Sequence, residues 1–226
     1  MTDNPIVHIE NMSYYYGSGE DRRAILKDLS LNVYPGEMVI LKGPSGSGKT
    51  TLLTIIGGLR RPQEGTCIVK GQNISNISRT GAAEFRRSIG FVFQQHNLLG
   101  FLNVRDNILM SGVLGRSMSK SGLVEKIKTY LMDVGLSGLL RRFPKHLSVG
   151  QKQRVSIIRA LINDPVLILA DEPTASLDWE SANRVMQIFK QQVKEQGKSV
   201  ILVSHDDRLF AYADRVVNLL DGRIVS

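Results

Sequence analysis

The chain has 226 residues, 42% of them hydrophobic, which is enough for one substantial core or two small ones and too little for a multidomain machine. Lys and Arg total 29 against 21 Asp and Glu, and the resulting +8 suits nucleic acid, acidic lipid headgroups or a phosphorylated ligand. A single cysteine, Cys67, excludes an intrachain disulfide, and no paired Cys/His spacing suggests zinc, so a reducing, cytoplasmic setting is expected.

Residues 1–10 include Asp3 and lack a basic start followed by an apolar core, so they do not read as a secretion signal. The longest apolar run, 166–170, falls far short of the roughly 20 residues of a membrane-spanning helix. Any membrane role therefore calls for a separate partner.

In chain order, short β-branched runs predict strands at 6–9, 29–33, 38–41, 66–69 and 89–93, with Tyr34-Pro35-Gly36 as a tight turn. From about 103 to 135 apolar residues recur at helical spacing, as in Leu123, Ile127, Tyr130, Leu131 and Val134. A helix at 151–162, a buried strand at 166–170, a helix at 181–195 and a buried strand at 199–203 follow. Strands apolar on both faces and separated by helices predict a mostly parallel α/β sheet, interrupted once by helices. Such sheets bind ligands beyond their strand C-termini.

Directly after the strand at 38–41 and one lysine stands Gly43-Pro44-Ser45-Gly46-Ser47-Gly48-Lys49-Thr50, which fills every defined position of the phosphate loop G-x-x-x-x-G-K-[ST]. Glycines let successive N–H groups turn inward, and a helix starting near Lys49 aims its positive dipole end at the same spot. A triphosphate is the expected occupant, with Lys49 on its β and γ phosphates and the Thr50 hydroxyl on Mg²⁺. Ser45 and Ser47 are expected to contribute at least their amides.

The strand at 166–170 runs into Asp171-Glu172-Pro173. Two carboxylates at the end of so apolar a strand invite a counter-ion: Asp171 can hold Mg²⁺ and Glu172 can accept a proton from an attacking water. The plainer reading is that they only end the strand and open a turn. Leu147-Ser148-Val149-Gly150-Gln151 starts a basic helix and is by itself either a serine cap or a second anion site.

With these motifs together, nearly the whole chain resembles the nucleotide-binding subunits of ABC transporters, whose signature is L-S-G-G-Q. The resemblance implies a P-loop NTPase core, RecA-like and mostly parallel, over about 1–95 and 160–226. It further implies an N-terminal antiparallel β subdomain and a helical subdomain over about 96–159, all within one domain. It assigns Ser148, Gly150 and Gln151 to the γ-phosphate held by the opposite subunit of a homodimer. Val149 departs from the usual glycine, which puts the closeness of backbone approach in question and predicts weakened or retuned closure.

The same resemblance gives Gln94 to the glutamine loop that touches Mg²⁺ or the attacking water. It gives Asp178 to a loop crossing the dimer interface, His205 to the γ-phosphate, and Thr51 to the nucleotide. Tyr16, with Tyr14 second, takes the position of a ring stacked on adenine. Plainer readings stand beside these: a solvated Gln94, a helix-capping Asp178, a structural His205, and tyrosines of core or surface. His8, His96 and His146 carry no such context.

Within the family, residues 43–53, Ile56-Gly57-Gly58-Leu59-Arg60, Gln94 with His96-Asn97-Leu98-Leu99, and 169–175 are similar to the group serving MacB- and LolD-like exporters, closest to DevA-type subunits. The function this implies is ATP binding and hydrolysis, with Mg²⁺, at the cytoplasmic face of the inner membrane. It would power a separate integral membrane permease that exports a lipid, glycolipid, lipoprotein or peptide. Two alternatives stay open: a mechanotransmission ATPase acting on extracytoplasmic enzymes, and a nucleic-acid-associated ABC ATPase. The basic charge suits the latter, but no long coiled coil or zinc insertion accompanies it, so no nucleic-acid partner is expected.

Overall fold

The computed structural model describes residues 4–115 and 119–225; the start of the 1–10 segment and residues 116–118 of the helical insert lie outside them. Two sheets form. One is antiparallel, with spatial order β2-β1-β4-β5, from β1 (Val7–Tyr16), β2 (Arg23–Val33), β4 (Glu64–Val69) and β5 (Gln72–Asn73). The other has the order β10-β9-β3-β8-β7-β6, from β3 (Met38–Lys42), β6 (Ile89–Val92), β7 (Leu167–Asp171), β8 (Ser199–Val203), β9 (Arg215–Leu220) and β10 (Arg223–Val225). It is parallel except for the β9–β10 hairpin.

The central strands are apolar on both faces because both faces are covered. Side chains alternate: Met38, Ile40, Ile168, Ala170, Val200 and Leu202 enter one core, while Val39, Leu41, Leu167, Leu169, Ile201 and Val203 enter the other. The first core is shared with the helices α3 (Val104–Gly115), α4 (Lys120–Asp133), α5 (Val149–Leu161) and α6 (Trp179–Gln196). The second is shared with the antiparallel sheet and with α1 (Lys49–Ile56). Helices α3, α4 and α5 pack on one another, and Asp164 fastens them to the core by meeting Lys126 of α4 at 3.2 Å and Lys198, just before β8, at 2.7 Å.

Several elements differ from the sequence-based expectation. The runs at 6–9 and 29–33 are the ends of much longer strands, whose remainders are hidden by register shifts at Ile9/Met12, Met12/Tyr14 and Tyr14/Tyr15 that break the period-2 alternation. Helix α2 (Arg79–Arg87), which buries only Ala82 and Phe85, was not expected, nor was the β9–β10 hairpin. Helix α5 begins at Val149, two residues before the expected start, because Ser148 caps it.

Register positions the site. Leu41 of β3 and Asp171 of β7 both pair with Val203 of β8, and Ala170 pairs with Val92 of β6. Four neighbouring strands thus end at one level, and the segments carrying Gly43, Gln94, Glu172 and His205 leave the sheet along the same edge.

Candidate functional site

Two glycines make the loop after β3 possible. Gly43 has φ +144°, and a Cβ there would lie 1.9 Å from the Leu219 carbonyl oxygen, so no other residue fits. Gly48 has φ +104° and caps α1, whose first-turn N–H groups have no acceptor within the helix. The Lys49 ammonium folds back under the loop, donating to the carbonyls of Gly43 at 2.7 Å and Pro44 at 2.8 Å and lying 3.4 Å from Ser47 Oγ. Burial holds it below the ordinary lysine value, against the pull of Glu172 and Asp171. The loop is therefore a ring of N–H groups with one cation already drawn in, a concentration of positive potential suited to an anion.

Asp171 is the last residue of β7 and is buried. Thr50 Oγ1 donates to its Oδ2 at 2.8 Å. Desolvation pushes the Asp171 carboxyl above the usual carboxylate range, and the Thr50 hydrogen bond opposes that shift. Among the described residues no group of three or more His, Cys, Asp or Glu could hold a metal. The hard oxygens of Thr50 and Asp171 nevertheless fit Mg²⁺, which keeps waters and phosphate oxygens for the rest of its shell.

Glu172 follows in the left-handed region at φ 48°, a conformation costing a non-glycine residue roughly 1–2 kcal/mol. Each of its two oxygens has a different neighbour. Gln94 Nε2 donates to Oε2 at 3.2 Å, and His205 Nε2 lies 3.4 Å from Oε1. A carboxylate on a strained backbone, bonded by Gln94 at one oxygen and flanked by His205 at the other, is a positioned group rather than a solvated one.

Tyr16 is half-exposed, with its hydroxyl 3.4 Å from Thr51 Oγ1, whereas Tyr14 is buried and meets the Tyr16 ring edge-on at 5.5 Å. Of the two, only Tyr16 offers a ring to a ligand. Arg60, which the sequence gives only as part of a family motif and not as a site residue, lies 5.0 Å from the Tyr16 ring centroid and donates to the Tyr14 hydroxyl at 3.3 Å. Its signal is a cation joined to two rings far away in the sequence, which no local pattern displays.

A cleft of about 300 Å³ is lined by Tyr16, Ser45, Gly46, Gly48, Lys49, Thr50 and Thr51 together with Gln94, Asp171, Glu172 and His205. Gly43, Pro44 and Ser47 complete the loop around the Lys49 ammonium. Ser148, Gly150, Gln151 and Asp178 do not line this cleft. Ser148 and Gln151 cap α5 reciprocally, and Asp178 caps α6 by accepting from the Ser181 amide and hydroxyl, which hold its carboxyl low. A Cβ on Gly150 would meet Leu177 at 3.2 Å and the Ser176 carbonyl at 3.3 Å, so the start of α5 lies against the loop before α6.

Residues 26–175 match the ABC transporter family. The chain is 41% identical over 221 residues to the ATP-binding protein HrtA of Staphylococcus saprophyticus, named for hemin import, covering 97% of this chain and 99% of that one. It is 37% identical over 227 residues to the macrolide export ATP-binding/permease protein MacB of Pasteurella multocida, covering 100% of this chain and 35% of that one. Among solved structures it resembles the ATP-binding cassette MJ0796, dimeric in a post-hydrolysis state with ADP and Pi (TM-score 0.93, 36% identity, 97% of both chains). It also resembles cbiO1 of Clostridium perfringens, part of the transporter complex cbiONQ (TM-score 0.84, 29% identity, 99% of this chain and 88% of that one). A phosphate loop, a carboxylate pair and a glutamine and histidine on one sheet edge, in a chain so similar to these cassettes along its whole length, belong to an ATP-hydrolysing subunit of the ABC transporter family.

Proposed function

We propose that this chain closes as a homodimer around two ATP molecules and so drives a separate membrane permease that exports an amphipathic substrate such as a lipid, glycolipid, lipoprotein or peptide. The observation that carries the reading is the meeting of Lys49, Thr50, Gln94, Asp171, Glu172 and His205 in one cleft. Lys49, freed from the Gly43 and Pro44 carbonyls, pairs with the β and γ phosphates, and the loop amides share their charge. Thr50 and Asp171 are the residues to hold Mg²⁺. A divalent ion there neutralises phosphate charge.

Glu172, oriented by its hydrogen bond from Gln94, takes the proton of the attacking water, and His205 beside it stabilises charge on the γ-phosphate. Tyr16 stacks on adenine. The Ser148, Gly150 and Gln151 segment at the start of α5 faces the nucleotide of the second copy, with Asp178 at the same interface. That division of labour agrees with its absence from the chain's own cleft and with the dimeric MJ0796 cassette.

On this reading the chain is a peripheral subunit bound to its permease at the cytoplasmic face of the inner membrane; among the described residues no helix is long and apolar enough to cross a membrane. The name of the MacB relative supports export, while that of HrtA gives import. The test is ATP-dependent substrate movement in vesicles carrying this chain with the permease encoded beside it. Accumulation on the side of the ATPase subunit would overturn export, and nucleic-acid retention in a salt-dependent filter assay would overturn the transport reading.

A further inference from the structure

The glutamine loop and the start of α5 are joined by His96, a residue to which the family resemblance gives no role of its own. His96 Nε2 lies 2.9 Å from the Val149 carbonyl oxygen. A carbonyl only accepts, so the imidazole donates. The loop is held on α5 at a second point, where Arg159 donates to the carbonyls of Asn97 at 2.6 Å and His96 at 2.8 Å. Val149 opens α5 and Arg159 lies in its last turn, so His96 and Asn97 are tied to side-chain and backbone groups from both ends of the helix.

The accepted bond has a chemical consequence one atom further on. The Val149 carbonyl and the Gly150 N–H belong to one conjugated peptide unit, so a donor on the oxygen makes that N–H a stronger donor itself. Gly150 is in the first turn of α5, where its N–H has no acceptor within the helix, and the Ser148 side chain is already committed to the Gln151 amide. Gln94, two residues before His96, contacts Glu172. A continuous path therefore runs from the carboxylate of one cleft to an amide at the mouth of α5.

We infer that His96 is a positioning residue that orients and polarises the start of α5 for the nucleotide bound by a second copy, making up for the valine at position 149. This rests on the dimer reading above. The test uses the full chain carrying Glu172→Gln to slow turnover, and compares His96→Ala and His96→Gln by sedimentation over a series of ATP concentrations. Losing one such hydrogen bond should make the alanine variant need about five- to tenfold more ATP or protein for half-dimerisation. Glutamine, a neutral donor of similar reach, should restore most of it, while ATP affinity at dilutions that keep the chain monomeric should not change.

A second readout needs no dimer: amide exchange of the Lys152 and Gln153 N–H groups in the first turns of α5 should quicken several-fold in His96→Ala and not in His96→Gln. Equal behaviour of alanine and parent in both measurements, or a glutamine variant no better than alanine, would overturn the inference. A parent that stays monomeric at saturating ATP would instead defeat the dimer reading, leaving amide exchange to judge His96.

Discussion

The Thr50 hydroxyl and the Asp171 carboxylate, 121 residues apart in sequence, share a 2.8 Å hydrogen bond. Because desolvation raises the Asp171 pKa on folding, the native chain binds a proton more tightly than the unfolded one. Asp171 therefore contributes stability below its unfolded value, and that contribution is lost as pH rises through the folded value. At neutral pH Asp171→Asn should melt about 2–4 °C higher than the parent without ligand, an advantage that shrinks as pH falls toward the ordinary carboxylate range. Melting curves across pH check this; a difference that grows on acidification contradicts it.

Glu172 predicts a split between two substitutions. Glu172→Gln and Glu172→Gly should both lose about 10²–10⁴-fold in turnover, the size expected for a general base. Only glycine relieves the backbone at φ 48°, so it should melt about 2–4 °C above the glutamine variant. Parental turnover in Glu172→Gln would remove Glu172 from the base role.

Lys49 and Tyr16 should be separable by ligand. Lys49→Ala should weaken ATP and inorganic tripolyphosphate alike, by about tenfold or more, because both present the same phosphates. Tyr16→Ala should weaken ATP by about 5–100-fold, the range of a lost base stack, and leave tripolyphosphate unchanged. Titration calorimetry with the two ligands reads both, and equal loss for both ligands in Tyr16→Ala would argue against stacking.

Val149 is 57% exposed at the first position of α5. If the start of α5 meets the phosphate of a second copy as proposed, glycine removes an obstructing side chain there, so Val149→Gly in the Glu172→Gln background should dimerise at lower ATP than its parent. Sedimentation in ATP would show this, and a weaker dimer would mean that the valine contributes contact rather than obstruction.

The clearest sequence signals were those packed into a few consecutive residues. The loop from Gly43 to Thr50 is set by local backbone needs, and the strand leading to Asp171 announces its burial by being apolar throughout. Contacts made across long separations left no trace: His96 reaches Val149 over 53 residues and Arg60 reaches Tyr14 over 46. Helix α2 carries almost no apolar periodicity, because it buries only two side chains. The lengths of β1 and β2 are hidden because bulges shift the face that each residue presents.

In the larger sheet β3 has two neighbours, β8 and β9, and both come from the last part of the chain. A ribosome making this protein releases the phosphate loop long before either flanking strand exists. Until then β3 exposes two unsatisfied edges, and the loop it carries has no rigid support. A chain ending before Ser199 therefore has an unpaired β3 and an unsupported phosphate loop, so nucleotide binding must await the last strands.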